Sequence, residues 1–258
     1  MNIYEFTQAQ VILFALILMR MLAFVISSAF FGAQNISVQV KLLFSLTFTS
    51  ILFPLVSVQG VDLLTVSNEL IHLTLREILI GLMLGFLTRM FFFTVSMVGD
   101  FTSVSMGLNS AQLFNPMMGS MGGAMEQFYS ILGILIFLGI DGHHLFLVAI
   151  AQSYQMVPVA SMSLNLKPFA EMALFGQEIL ILAVKLCAPI LVAMLLSNIA
   201  MGILGRAVPQ INVMVTSQPV NMMIGLAVLI VCLPLFYMQM NGLLDITASK
   251  LFLLMKAL

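Results

Sequence analysis

The chain has 258 residues, of which 62% are hydrophobic and 7% are charged, and its net charge is −1. A soluble domain carries roughly 25% charged residues, so the composition excludes a soluble fold of this length. The near-neutral charge also excludes a strongly basic surface for nucleic acid. We therefore expect a helical protein that lies in a membrane or in a membrane-bound assembly.

Apolar segments near the length of a membrane-spanning helix recur along the chain, separated by stretches rich in glycine, proline and polar residues. They predict six helices, the first of them uncleaved, because Glu5 stands where a signal peptide needs positive charge. In chain order the segments cover residues 9–31, 41–58, 70–99, 127–150, 174–205 and 214–240.

The charges give these helices no clear orientation. Six spans would place Lys167, Lys250 and Lys256 on one side, and Lys41 and Arg206 on the other, too even a division for the positive-inside rule. Charges also lie inside the apolar segments, where each costs roughly 2.5–3.5 kcal/mol at the centre of a lipid-facing helix. We therefore expect packing against other protein in a hetero-oligomer. The charges inside the segments are Arg20, Arg76, Glu77, Arg89, Asp141, Glu178 and Lys185.

One row of residues predicts a tight helix contact. Glu77, Gly81, Gly85 and Arg89 step by four residues, which keeps them on one slowly drifting helix face. Gly81 and Gly85 form a GxxxG motif, which lets a second helix backbone approach closely. The second helix could belong to this chain or to a partner.

A second row is spaced by seven residues and so also shares a helix face. It consists of Glu171, Glu178 and Lys185. Glu178 and Lys185 are two turns apart, about 10 Å of helix rise. A partner chain could supply their counter-charges, and a solvated or self-paired face is the alternative.

Catalytic and metal-binding patterns are missing from the sequence. Adjacent His143 and His144 should point to different sides of a helix, so with Asp141 we expect a helix-end role rather than a metal site. Cys187 and Cys232 are isolated in apolar segments and are expected to be buried thiols. No P-loop, GxSxG or HExxH motif occurs. We predict no enzyme activity, no metal and no cofactor.

The uncharged segment 101–125 contains glycines, a proline and several methionines. Irregular backbone at membrane depth is tolerated only inside protein or beside a cavity, and methionine adapts to irregular partners. The segment therefore predicts a soft loop that could close a passage, with an ordinary interhelical loop as the alternative. The candidate plug residues are Met106, Gly107, Asn109, Phe114, Asn115, Pro116, Met117, Met118, Gly119, Met121, Gly122 and Gly123.

Two stretches resemble a known family. The first contains Arg76-Glu-Ile-Leu-Ile-Gly81, Gly99-Asp-Phe and Met106-Gly-Leu-x-x-Ala111-x-x-Phe-Asn-Pro116. The second is Leu204-Gly-Arg-Ala-Val-Pro209-Gln-Ile-Asn-Val213, followed by Pro219-Val. Together they resemble the FliR family of type III secretion export-gate proteins (FliR/SctT), over nearly the whole chain. The Arg-x-x-Pro-Gln-x-Asn element is the most specific motif.

This sequence departs from the family pattern at two places. It has Asn115-Pro116 where Asp-Pro is usual, and Ser217-Gln218 where glycine and an apolar residue often precede the later proline. The Met-Gly-Leu element favours the flagellar branch, and the injectisome export-gate subunit is the alternative within the family.

The resemblance implies an all-α membrane-type fold. It assigns residues 1–175 to a FliP-like part, with a pore-plug loop at about 106–123, and residues 176–258 to a FliQ-like helical hairpin. Such a subunit joins FliP and FliQ in a helical pore assembly through which unfolded flagellar subunits are secreted. FlhB would surround the cytoplasmic entrance and FlhA the complex, in the inner membrane at the flagellar basal body. Lipid and secreted chains are the further expected contacts, and nucleic acid is not.

The resemblance also implies residue roles. Helix or subunit contacts are expected from Arg76, Glu77, Gly81, Gly85, Arg89, Glu178 and Lys185, and a hairpin turn from Arg206, Pro209, Gln210 and Asn212. A hypothesis from another class is a secondary transporter for a small solute, with a broken helix near 107–123 at its binding site. That hypothesis requires a paired broken segment in the other half, which the sequence lacks.

Overall fold

A computed structural model describes residues 8–56, 70–108, 123–159, 167–210 and 212–257. Every helix or strand assigned in these ranges is an α-helix, which confirms the all-α expectation. The helices are α1 (Gln8–Ser27), α2 (Val38–Leu52), α3 (Leu70–Ser105), α4 (Ala124–Gly139), α5 (Gly142–Met156), α6 (Lys167–Ala207) and α7 (Val213–Ala257).

Within the described residues, the apolar segment 127–150 contains two helices where hydropathy predicts one, because a break at Asp141 divides it. Asp141 has a left-handed backbone with φ of 56°. Aspartate enters this region more readily than most residues. Because a helix cannot continue through a left-handed residue, α4 ends and α5 begins here. Hydropathy does not register a backbone change at one residue.

In the part of the chain that the structure describes, four helices are long and apolar enough to cross a membrane: Gln10–Ser27, Leu70–Ser105, Leu174–Ala207 and Val215–Ala257. Helices α4 and α5 add a fifth candidate if they are taken together as one broken span. Helix α2 has 15 residues, fewer than the ~20 that a bilayer core requires. The chain is therefore an all-α membrane protein in which apolar segments and candidate spans do not correspond one to one.

The chain divides into two compact units. Unit 1 comprises Met1–Met90, Asp141–Phe175 and Asp245–Leu258, and unit 2 comprises Phe91–Ile140 and Gly176–Leu244. One division falls between residues 175 and 176, where the resemblance implies a boundary, and the others divide the flanking parts further. The correspondence of 1–175 with FliP and of 176–258 with FliQ stays a prediction.

Unit 1 has an aliphatic and aromatic core around α1. Ile17, Met21 and Phe24 of α1 are fully buried. Past the end of α1, the ring of Phe31 stacks on Phe44 of α2, with ring centroids 5.2 Å apart. These contacts attach the short helix α2 to the chain that follows α1.

Unit 2 contains a close approach between α3 and α4. A Cβ atom on Gly133 would lie 2.7 Å from Cγ1 of Val95, and one on Gly99 would lie 2.5 Å from the Cα of Glu126. The missing side chains therefore let the two helices meet almost backbone to backbone. The ring of Tyr129 in α4 also contacts Phe236 of α7, with centroids 5.3 Å apart.

Proline lies inside the long helices of unit 2, at Pro189 in α6 and at Pro219 and Pro234 in α7. Each proline removes one backbone N–H from the helical hydrogen-bond pattern and favours a local bend. The long C-terminal helices are therefore continuous but locally weakened at these positions.

Candidate functional site

The glycine row of α3 packs against α1 of the same chain. A Cβ atom on Gly81 would overlap the carbonyl oxygen of Arg20 and lie 2.8 Å from the Cβ of Ala23. One on Gly85 would lie 2.7 Å from the carbonyl oxygen of Phe24. The GxxxG motif thus forms an intrachain helix contact.

The carboxylate of Glu77 lies one turn from this contact and forms a buried ion pair with Arg20 of α1. Arg20 Nε lies 2.5 Å from Glu77 Oε2, and both side chains are 0% exposed. Arg20 also donates to Ser153 Oγ at 3.2 Å and to the carbonyl oxygen of Val157 at 3.0 Å. Its guanidinium carbon lies 4.3 Å from the ring centroid of Tyr154. This buried charge therefore has an ionic partner, two further acceptors and an aromatic face.

Arg76 completes this buried network from the other side of the carboxylate. Its Nη1 lies 3.4 Å from Glu77 Oε1 and donates to the carbonyl oxygen of Pro158 at 3.1 Å. Glu77 therefore lies between two guanidinium groups. The network joins α1, α3 and the end of α5, and all its members belong to unit 1. Removing one partner of such a pair leaves a buried charge uncompensated, which is strongly unfavourable.

The sequence identified Arg20, Arg76 and Glu77 as charges in apolar segments, but it did not pair Arg20 with Glu77. These two residues are 57 positions apart, and Ser153 is 133 positions from Arg20. No local spacing rule covers such separations. The one available signal was that opposite charges in two apolar segments need compensation.

The other predicted contact residues occupy more open positions. Arg89 and Lys185 are exposed, and Glu178 is half-buried. From Glu77 to Arg89 the helix advances three turns plus about 120°, since each step of four residues adds about 40°. This rotation takes Arg89 off the buried face that holds Glu77, Gly81 and Gly85. Subunit contacts at Arg89, Glu178 and Lys185 stay predictions.

The predicted plug lies mostly outside the described residues. Met106 is 0% exposed, Gly107 has a left-handed backbone with φ of 73°, and Gly123 directly precedes α4. The plug role stays a prediction. The plug residues outside the described ranges are Asn109, Phe114, Asn115, Pro116, Met117, Met118, Gly119, Met121 and Gly122.

The predicted hairpin-turn residues occupy the connection between α6 and α7. Arg206 lies in the last turn of α6, Pro209 and Gln210 follow its end, and all three are exposed. The exposed Asn212 directly precedes α7, and its carbonyl oxygen accepts hydrogen bonds from the N–H groups of residues 215 and 216, each at 3.1 Å. Proline after a helix end and asparagine before a helix start are typical boundary residues.

The expectation that His143 and His144 point to different sides of a helix is wrong. Their ring centroids are 4.1 Å apart at the start of α5, and His144 Nδ1 lies 3.2 Å from Asp141 Oδ1. Ligand atoms of the three residues lie within 4.8 Å of one another. Asp141 and His144 are largely exposed, at 74% and 68%. The left-handed residue Asp141 and its contact with His144 both lie at the start of α5.

Sequence comparison gives the family. The profile of the bacterial export proteins, family 1, matches residues 11–246. The chain belongs to this family. Every predicted contact, plug and turn residue lies within the matched range.

Relatives from distant bacteria match most of the chain. A protein of Caulobacter vibrioides is 32% identical over 86% of this chain and 89% of its own length. One of Bacillus subtilis is 27% identical over 92% of both chains. One of Escherichia coli is 25% identical over 84% of this chain and 83% of its own. Each is named flagellar biosynthetic protein FliR.

Proposed function

We propose that this chain is a structural subunit of the flagellar type III protein export gate. It would form part of the central pore through which unfolded flagellar subunits are secreted during flagellum assembly. The observation that carries the proposal is the match over residues 11–246, together with relatives named FliR across most of both chains. On this proposal the chain assembles and performs no catalysis.

The exposed surfaces of the chain support a role inside a larger assembly. In the most apolar 18-residue stretch of each helix, 28% of the residues of α6 and 22% of those of α7 are buried. Lys185 is exposed on α6, and Arg89 is exposed on the long apolar helix α3. Charges on lipid-facing helices are costly, whereas partner protein can supply counter-charges. FliP and FliQ are the partners that we propose for these faces.

The proposal includes further neighbours and a location. FlhB would lie at the cytoplasmic entrance and FlhA around the complex, at the flagellar basal body in the bacterial inner membrane. Residues 106–123 would close the pore as a plug that secreted chains displace. The remaining apolar surface would contact lipid.

Purification in a gentle detergent followed by native mass measurement tests the assembly. We expect a particle that contains FliP and FliQ together with this chain. A lone monomer or a homodimer would contradict the proposal and favour a self-contained transporter. Deleting the chromosomal copy separates the two branches of the family, because loss of flagella with intact injectisome secretion is expected.

The plug role has a separate test, which is deletion of residues 110–120. We expect the complex to assemble and to leak ions or small solutes across the membrane. A variant that replaces these residues with a glycine–serine stretch of equal length separates the loss of the native side chains from the shortening of the loop. An intact permeability barrier in the deletion variant would contradict the plug role and leave the subunit assignment standing.

A further inference from the structure

Helix α3 ends in a motif that needs glycine at position 107. The N–H of Gly107 donates to the carbonyl oxygen of Val104 at 3.1 Å, and the N–H of Leu108 donates to that of Ser103 at 3.0 Å. With φ of 73° at Gly107, this is the Schellman arrangement, in which a left-handed residue terminates the helix. The direction in which the chain leaves α3 is therefore set at Gly107.

Directly before this turn, the side chain of Met106 fills a gap in α7. Met106 is 0% exposed, and the glycine beneath it, Gly225, is also buried. A Cβ atom on Gly225 would lie 2.6 Å from Cε, 2.7 Å from Cγ and 2.8 Å from Sδ of Met106. The Met106 side chain therefore contacts the α7 backbone from its Cγ to its Cε atom. A methyl group at position 225 would displace this side chain.

A second contact lies two turns earlier on α7. The position of a Cβ on Gly107 is 3.0 Å from Nε2 and 3.1 Å from Oε1 of Gln218. Gln218 and Gly225 are seven residues apart and hence on one face of the helix. Helix α7 thus holds the end of α3 at two successive points, both within unit 2.

We propose that Met106 and Gly107, held against Gly225 and Gln218, form a joint that positions the start of the plug segment on α7. The sealing part of this inference rests on the function proposed above, whereas the contact itself does not. Ordinary core packing would make Met106 one of many interchangeable buried side chains. A positioning joint predicts instead that a change on α7 alone alters both Met106 and the permeability barrier.

The first test is oxidation of the purified full chain in detergent with hydrogen peroxide, with each methionine followed by mass spectrometry. Met223 and Met238, which are 74% and 69% exposed, serve as the reactive references. We expect Met106 to be protected in the unaltered protein and oxidised several-fold faster in Gly225→Ala. The matched control is Gly242→Ala in the same helix, where a Cβ would meet nothing within 4 Å. Met106 as reactive as Met223 in the unaltered chain, or equal protection in Gly225→Ala, would overturn the joint.

Met21 and Met240, both 0% exposed, report whether Gly225→Ala retains its fold. If they also lose protection, the double variant Met106→Ala/Gly225→Ala decides the matter. The alanine at 106 makes room for the new methyl group, so we expect the protection of Met21 and Met240 to return. Continued oxidation of both residues in the double variant would overturn the proposal.

The second test measures ion leakage in cells that carry the assembled complex. We expect Gly225→Ala to leak and Gly242→Ala to hold the barrier. Faster Met106 oxidation without leakage would overturn the positioning role while leaving the proposed function intact. If deletion of residues 110–120 also fails to leak, the plug part of the proposed function is what fails.

Discussion

Two regions of the molecule bury different polar groups. One is the contact between α1 and α3 in unit 1, and the other is the α6–α7 hairpin. In its most apolar window α3 has 56% of its residues buried, against 22% for α7. The first contact buries the Arg20–Glu77 ion pair completely. The hairpin has a small neutral network, in which Ser197 donates to Asn221 at 2.6 Å and Asn221 to Asn198 at 2.9 Å, while Lys185 is exposed.

The difference shows that charges in apolar segments can be either buried and paired inside the chain or exposed on its surface. Inside the chain, the carboxylate of Glu77 pairs with the guanidinium groups of Arg20 and Arg76, and a backbone carbonyl oxygen accepts from each arginine. The exposed Arg89 and Lys185 are the residues whose charges favour an assembly. The second group, which is exposed, is therefore where we expect partner helices to supply counter-charges. Three predictions test the comparison of the two regions, in order of decreasing effect on the stability of the chain.

The largest effect is expected from Glu77→Ala. It leaves two guanidinium groups around a vacated position, and breaking a buried pair in this way costs about 3–5 kcal/mol. Thermal or denaturant unfolding of the purified chain in detergent measures the loss. The control is Glu171→Ala, which removes an exposed carboxylate and should change the free energy of unfolding by no more than about 0.5 kcal/mol.

A double variant tests whether the pair itself is responsible for that loss. Arg20→Met/Glu77→Met removes both charges of the pair, so its loss of stability should be smaller than the sum of the losses in the two single methionine variants. Arg76 loses its carboxylate partner in the double variant as it does in Glu77→Met alone. Equal losses in the double variant and in the sum of the two singles would show that the residues act independently. The ion pair would then not be the source of the stability of the contact.

The intermediate effect is expected from Gly81→Ala. The new methyl group would overlap the carbonyl oxygen of Arg20, which is backbone and cannot rotate away, so a loss of about 1–3 kcal/mol is expected. Gly202→Ala in α6 is the matched control, because a Cβ there meets nothing within 4 Å. An alanine in an open helical position should stabilise the chain by about 0.5–1 kcal/mol. Changes of the same sign in both variants would show that the glycine contact is looser than the structure indicates.

The smallest effect on the chain itself is expected from Lys185→Leu. An exposed side chain changes the free energy of unfolding by about 0.5 kcal/mol or less, but the recovery of FliP and FliQ with the chain should fall. Lys256→Leu removes an exposed lysine from the last turn of α7 and should leave that recovery unchanged. Full recovery of both partners with Lys185→Leu would assign Lys185 to solvent or lipid headgroups.

The sequence was sufficient for the fold class and for the close helix contact. Steps of four residues placed Glu77, Gly81 and Gly85 on one face, and the structure has them packed against α1. The same rule failed for Arg89, because 3.6 residues per turn rotate the row as it lengthens. A spacing rule therefore holds over two or three turns and weakens beyond them.

Three further features depended on information that spacing does not contain. The break at Asp141 arises from a left-handed backbone at a single residue within a continuous apolar segment. The partners of Arg20 depend on which helices come together in three dimensions. The contact of Met106 with Gly225 also depends on the three-dimensional arrangement of the helices. The two residues are more than one hundred positions apart, so no spacing rule predicts the contact.

The Arg20 network also bears on how the chain is made. Arg20 leaves the ribosome early, but Glu77 follows 57 residues later and Val157 137 residues later. At about 5–20 residues per second, the last acceptor emerges roughly 7–27 s after the arginine. During that interval α1 carries an incompletely compensated charge in an apolar helix. We expect stable insertion of α1 to wait for the hairpin that delivers Glu77, so that the first two long helices enter the bilayer as a pair.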